Sequence, residues 1–185
     1  NFSWVLAARA LRRMDGLDLS SLRLALNGAE PVDPATVDAF VEAGAPFGFP
    51  PGGVFCAFGM AELAIAGTFP PVGRGARYDA VDGPVLEHER IAKPADPELD
   101  STRLMPMLGF PVPGLTVRIC DTSTGEVLSD RHVGELEIAG TSVTPGYFRR
   151  PELNDTLFHD GWLRTGDLGY LVDGELVLCG RIKDV

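Results

Sequence analysis

Leu22-Arg23-Leu24-Ala25-Leu26-Asn27-Gly28-Ala29-Glu30-Pro31-Val32-Asp33-Pro34 is the stretch that decides the fold. A short apolar run closes on Asn27 and Gly28. Asp33 followed by Pro34 then predicts a helix start, because an aspartate can accept from the first free amides and proline's fixed φ suits the first helical position. That helix is expected to run to about Ala43. Strand, loop, helix is the signature of an α/β layer. Downstream, residues 53–58 read as a second buried strand, and the polar cluster through Gly59 and Glu62 follows its C-terminal end. Open α/β sheets place their ligands there. Upstream, Phe2, Val5, Leu6, Ala8, Leu11 and Met14 recur at mostly helical spacing until Asp15 and Gly16 break the pattern, which predicts an amphipathic helix over residues 2–14.

Beyond this layer the composition changes. Residues 70–106 are rich in Pro, Gly, Asp, Glu and Arg with few periodic apolar positions, as in a long connection or a weakly structured insertion. From Val112 onward residues 115–120, 126–128 and 135–139 are strand-like runs separated by turn signals, as in a small antiparallel β unit. Asp173-Gly174, between residues 170–172 and 175–178, is the strongest hairpin signal in the chain, since both residues tolerate the positive φ of a type I′ turn. The expected organisation is residues 1–69 as the end of an α/β subdomain, 70–108 as insertion and connection, 109–179 as a small distorted β-barrel, and 180–185 as a short terminal motif.

With 26 acidic against 16 basic residues among 185, the chain carries a formal charge of −10. A phosphate backbone is repelled by that excess, and the basic pairs Arg12-Arg13 and Arg149-Arg150 are too short to offset it, so no nucleic-acid partner is expected. Apolar residues make up 45% of the sequence, enough for a core. The apolar runs fall far short of the roughly 20 residues that a membrane-spanning helix needs. Cys56, Cys120 and Cys179 are far apart, each in an apolar run, and form no metal or redox pair; they read as reduced core thiols of a cytoplasmic protein. Asn1-Phe2-Ser3-Trp4 at one end and Arg181 to Val185 at the other read as the middle of a longer protein.

Four places could carry chemistry: Glu30 in a Gly-Ala-Glu-Pro turn, Glu62 just past a strand, Asp167 in Thr-Gly-Asp-Leu-Gly, and Arg181 with Lys183 near the end. His88, His132 and His159 are scattered. There is no GxSxG elbow, HExxH helix or Walker loop, which leaves hydrolase and zinc-enzyme readings without support. Singly, each acid could equally be a turn or cap residue.

Taken in order they resemble the adenylate-forming superfamily of acyl-CoA ligases, fatty acyl-AMP ligases and luciferases. Asn27-Gly28-Ala29-Glu30-Pro31-Val32 is similar to its adenine-side turn, Phe58-Gly59-Met60-Ala61-Glu62 to its aromatic-Gly-x-x-Glu motif, and Thr165-Gly166-Asp167-Leu168-Gly169 to its ribose motif. Gly180-Arg181-Ile182-Lys183-Asp184 resembles its hinge, with Gly146-Tyr147 and Trp162-Leu163-Arg164 also in place. The resemblance implies ATP and Mg²⁺ as cofactors, with Glu62 as the catalytic carboxylate holding the metal and Asp167 accepting from both ribose hydroxyls. It further implies a second ribose contact from Arg181 and stacking of Phe58 on adenine, with Gly28, Ala29, Glu30, Gly59 and Met60 around the nucleotide. Asp184 falls at the position where rotation swings a C-terminal domain between two reactions. A phosphate loop before Asn1 and a C-terminal lysine are implied too, so these 185 residues alone are expected to be inactive.

Within the superfamily, Asn1-Phe2-Ser3-Trp4, the wording of residues 26–32, and Arg77-Tyr78-Asp79 through Glu89-Arg90, Ala92 and Pro94 are most similar to fatty acyl-AMP ligases. In those enzymes an insertion at the last position is associated with acyl transfer to a carrier thiol instead of CoA. The implied substrate is a fatty acid, and the implied partner is an acyl carrier protein or a polyketide synthase carrier domain. A fatty acyl-CoA ligase and a non-catalytic nucleotide-binding module are the alternatives. Phe2, Trp4 and Val5 are either walls of an acyl tunnel or plain core.

Overall fold

The computed structural model describes residues 1–184. Helix α1 (Phe2–Leu11) is followed by strand β1 (Ala25–Asn27), helix α2 (Pro34–Gly44) and strand β2 (Val54–Cys56). β1 and β2 pair in parallel, Ala25 with Val54 and Asn27 with Cys56, so α2 is a crossover. Its start is built as the sequence predicts: Asp33 accepts from the Thr36 amide at 2.9 Å and Pro34 occupies the first turn. Trp4 of α1 meets Phe40 of α2 with ring centroids 4.3 Å apart, which locks the two helices together. α1 stops at Leu11, short of the predicted Met14, because the amides of Arg13 and Met14 turn back to Ala10 and Leu11 in a tighter, three-residue pattern.

Strand β3 (Thr68–Phe69) leads into β4 (Tyr78–Asp82), helix α3 (Gly83–Glu89) and β5 (Thr102–Pro106). The segment that reads as weakly structured thus holds an antiparallel β4–β5 pair with a helix between its strands. Asp82 caps α3 by accepting from Val85 at 3.1 Å. Val81, Leu86 and Ala92 from this segment pack with Val133, Leu168 and Tyr170. Asp79 accepts from the buried Tyr170 hydroxyl at 2.9 Å and from both terminal nitrogens of Arg131. Periodicity is sparse here because the segment docks through a few widely spaced apolar residues and the Asp79 contacts, with no continuous apolar stripe.

The remaining strands are β6 (Phe110–Pro111), β7 (Leu115–Cys120) and β8 (Gly134–Gly140), then helix α4 (Pro151–Leu157), β9 (Phe158–His159), β10 (Trp162–Val172) and β11 (Glu175–Arg181). β6 pairs with β3, whereas β11, β10, β8 and β7 lie side by side in that order, antiparallel, with β9 on β10. The β10–β11 turn has φ of 51° at Asp173 and 80° at Gly174, the conformation expected of that pair. Residues 126–128 do not form a strand. The Asp121 carboxylate accepts from the amides of Ser123 and Thr124 and folds the chain into a turn, leaving a single bridge from Val127 to Cys120.

One core runs through both units. Trp4, Val37, Phe40 and Val54 of the α/β layer share it with Leu115, Ile138, Leu163 and Leu176 of the β unit. Cys56 and Cys120 are buried, and burial pushes both thiols up to about 11. Cys179 departs from the expectation of a core thiol: it is exposed, because β11 runs past the edge of the core at its C-terminal end.

Candidate functional site

The loops after β1 and β2 lie together. Asn27, Gly28 and Ala29 from the first, and Ala57, Phe58 and Gly59 from the second, border a cleft of about 290 Å³. The approach is so close that a side-chain carbon on Gly28 would stand 2.6 Å from the Ala57 carbonyl oxygen. Ala29 has φ of 67°, turning the chain sharply beside the cleft. Glu30 lies outside it, on the surface, where its carboxylate accepts from the Phe2 amide at 2.7 Å at the start of α1.

Phe58 is fixed by a bridge to Thr68, and its ring edge lies where any side chain on Gly67 would be. Gly59 is the tightest position of all, since a side-chain carbon there would meet the Ile65 carbonyl oxygen at 1.6 Å. The carbonyl of Met60 takes the amides of Leu63 and Ile65, closing a tight loop that carries Glu62. Ala64 and Ile65 complete it with φ of 52° and 81°. For a β-branched residue the second value is strained, and the Ile65 side chain is 77% exposed beside the cleft.

Glu62 is also where the two units meet. Its backbone carbonyl accepts from the Thr144 amide at 2.8 Å, and its carboxylate accepts from the Tyr147 hydroxyl. That bond pushes the Tyr147 hydroxyl up from its ordinary pKa. Asp167 is 5% exposed, on β10 opposite Arg181 of β11, whose Nε lies 2.9 Å from its Oδ1. Burial raises the Asp167 carboxyl, Arg181 pulls it back, and the charges of Glu135 and Glu62 push it up again.

Among the described residues no group of three or more His, Cys, Asp or Glu side chains could hold a metal ion. A single carboxylate still fits Mg²⁺, which keeps several waters and is commonly held by one or two carboxylates together with substrate phosphates.

The family profile described as AMP-binding enzyme matches residues 2–148. The chain belongs to that family. It is similar over its whole length to Rv1013 of Mycobacterium tuberculosis, at 43% identity and 34% of that protein's length. It is 38% identical to the medium-chain-fatty-acid–[acyl-carrier-protein] ligase JamA of Moorena producens, with 91% of this chain and 30% of JamA covered. The crystal structure of fatty acid AMP ligase from Legionella pneumophila superposes with a TM-score of 0.92 at 30% identity, covering 99% of this chain and 33% of that one. The chain spans about a third of the length of the curated relatives it matches.

The sequence singles out Phe58, Gly59, Glu62, Asp167 and Arg181 as candidates and passes over two acids of the β unit. Glu135 and Glu137 alternate with Leu136 and Ile138 along β8, which reads as a solvated polar face. Both are buried, each against an arginine: Arg164 on Glu135 and Arg118 on Glu137, the closest nitrogen at 2.6 Å in each pair. The signal that could have found them is a pair of arginines, 118 and 164, on neighbouring strands. No helix among the described residues is long and apolar enough to cross a membrane.

Proposed function

We propose that this chain is the later part of the large N-terminal domain of a fatty acyl-AMP ligase, which joins a fatty acid to ATP to give acyl-adenylate and pyrophosphate. The acyl group then passes to the phosphopantetheine thiol of an acyl carrier protein or a polyketide synthase carrier domain. The supporting observation is geometric: the loops after β1 and β2 border one cleft, and the Glu62 loop that follows is bonded through Thr144 and Tyr147 to the unit that carries Asp167.

The chemistry brings a carboxylate against a polyphosphate, so catalysis is mostly positioning and charge neutralisation. In this reading Phe58 stacks on adenine while Gly28 and Ala29 pass along the base edge and the Glu30 backbone follows them with its carboxylate turned away to α1, with Gly59 and Met60 shaping the loop. Asp167 accepts from both ribose hydroxyls, and Arg181 gives a second contact. Glu62, oriented by Tyr147, holds Mg²⁺, which supplies charge neutralisation at the phosphates. Trp4 lines the same cleft with an indole otherwise packed on Phe40, so one face of α1 serves both the core and the site.

Relatives named for both acyl-carrier-protein and CoA acceptors match the chain, so the acceptor is decided by experiment. Fatty-acid-dependent exchange of pyrophosphate into ATP by the full-length protein tests the first step, and competition between CoA and a holo carrier tests the second. Exchange followed by transfer to the carrier alone is the expected result. No exchange would remove the ligase reading, and release of AMP with CoA would replace it by a CoA ligase.

A further inference from the structure

Strand β10 is interrupted at the motif that carries Asp167. Arg164 faces Glu137 and Leu168 faces Glu135 across β8, so residues 165–167 stand opposite Leu136 alone. Such a bulge leaves amides outside the ladder, and they need other acceptors. The Asp167 amide goes to Thr165 Oγ1 at 3.1 Å, and that hydroxyl donates to the Leu136 carbonyl at 2.8 Å. The Gly166 amide goes to Glu135 Oε1 at 3.2 Å. The other oxygen, Oε2, accepts from Arg164 Nε at 3.0 Å and Nη2 at 2.6 Å. One buried carboxylate therefore grips both the residue before the bulge and the glycine at its centre.

Glu137, two residues along the same face, shows what a plain buried pair looks like here. It takes Arg118 Nε at 2.8 Å and Nη2 at 2.6 Å, with Cys120 Sγ at 3.4 Å and His159 Nδ1 3.7 Å from its other oxygen, and accepts from no bulge amide. A buried ion pair adds little stability over a well-packed apolar pair, so stability alone does not account for the Gly166 contact of Glu135. The bulge centre is also a glycine in the left-handed region: Gly166 has φ of 72°, with open space where a side chain would stand. Without an external acceptor its peptide is free to turn, and Asp167 follows it directly.

We infer that Glu135 is a positioning residue for the nucleotide sugar, holding the 165–167 bulge so that Asp167 presents both carboxylate oxygens to the ribose hydroxyls. This rests on the proposal that Asp167 binds ribose. The test compares Glu135→Asp with Glu137→Asp and Asp167→Ala in the full-length protein. Each glutamate-to-aspartate change keeps a charge for its arginine but withdraws the carboxylate by roughly 1.5 Å, one carbon–carbon bond. Equilibrium binding of ATP, 2′-deoxy-ATP and 3′-deoxy-ATP is measured for each variant, together with thermal melting. Glu135→Asp is expected to weaken ATP about tenfold while leaving the deoxy analogues near wild type, so that preference for the ribose hydroxyls collapses. Glu137→Asp is expected to lower the melting temperature by a similar amount and to keep the preference. If Glu135→Asp discriminates like wild type while Asp167→Ala does not, the positioning role is overturned and the ribose site stands. If Asp167→Ala also discriminates like wild type, the ribose site falls and the positioning role with it.

Discussion

Replacing Gly59 by alanine tests whether the loop between Phe58 and Glu62 is held to the tolerance that the site needs. The added carbon would lie 1.6 Å from the Ile65 carbonyl oxygen and 2.8 Å from its carbon, both backbone atoms that cannot rotate away. Separating them to an ordinary contact moves one side of the loop by roughly 1.8 Å or more, and misplacement of about 1 Å in a reacting constellation costs on the order of a hundredfold in rate. The bonds nearest the clash are those from the Thr68 and Gly67 amides to the Phe58 carbonyl. Weakening two such bonds costs about 1–3 kcal/mol, which in a domain this size lowers melting by roughly 2–4 °C for each kcal/mol. The assay is pyrophosphate exchange beside a thermal melt, with Gly16→Ala as control, since Gly16 has φ of 69° but nothing near its added carbon. The expected result is a hundredfold loss of exchange for Gly59→Ala and full exchange for Gly16→Ala. Exchange within threefold of wild type, with unchanged melting, would refute the reasoning.

Three further outcomes follow from the geometry. Asp167 is raised by burial and by Glu135 and Glu62 against the pull of Arg181, so the folded protein holds that proton more tightly than the unfolded chain. The stability linked to it is present below the unfolded value and lost as pH rises through the folded one, and nucleotide binding should show an acid limb above the ordinary carboxylate range. Arg181→Gln removes the lowering partner and should move that limb to higher pH; a profile that does not move counts against ribose binding by ionised Asp167. Tyr147→Phe keeps the ring and removes the donor to Glu62, so the apparent affinity for Mg²⁺ in the exchange assay should fall about tenfold, and an unchanged Mg²⁺ titration would refute the orienting role. Tyr170→Phe leaves the half-buried Asp79 to Arg131 and should cost about 1–3 kcal/mol in denaturant titration, with no change in the ATP concentration needed for exchange.

The readable parts of the sequence were those where a local rule and the tertiary environment agree. Asp33-Pro34 and Asp173-Gly174 set a cap and a turn through their own backbones, so nothing distant could alter them. Phe58-Gly59-Met60-Ala61-Glu62 was legible for the same reason, because its shape depends on glycine at one position. Residues 126–128 misled because Val127 and Leu128 have strand propensity while the Asp121 carboxylate, a few residues earlier in the chain, commits the segment to a turn. β4 and β5 were hidden for the opposite reason. Their placement is decided by Asp79, Arg131 and Tyr170, three residues far apart in sequence whose meeting no window of periodicity contains. Glu135 and Glu137 obeyed the alternation of a solvated strand and were buried by arginines from β7 and β10.

The junction at Glu62 explains why the site's two halves need not be contiguous to work as one. The polar contacts that cross there are the Thr144 amide on the Glu62 carbonyl and the Tyr147 hydroxyl on its carboxylate. Such contacts are worth too little to hold two units in register. Registration comes instead from the shared core, where Val37, Phe40 and Val54 of one unit and Ile138, Leu163 and Leu176 of the other are buried in a single cluster. A close-packed interior admits few relative positions, so fixing the core fixes the distance between the acids. The polar contacts at Glu62 are then free to be tuned for ligand rather than for folding, and a core substitution such as Ile138→Ala should loosen nucleotide binding without touching any residue that meets the nucleotide.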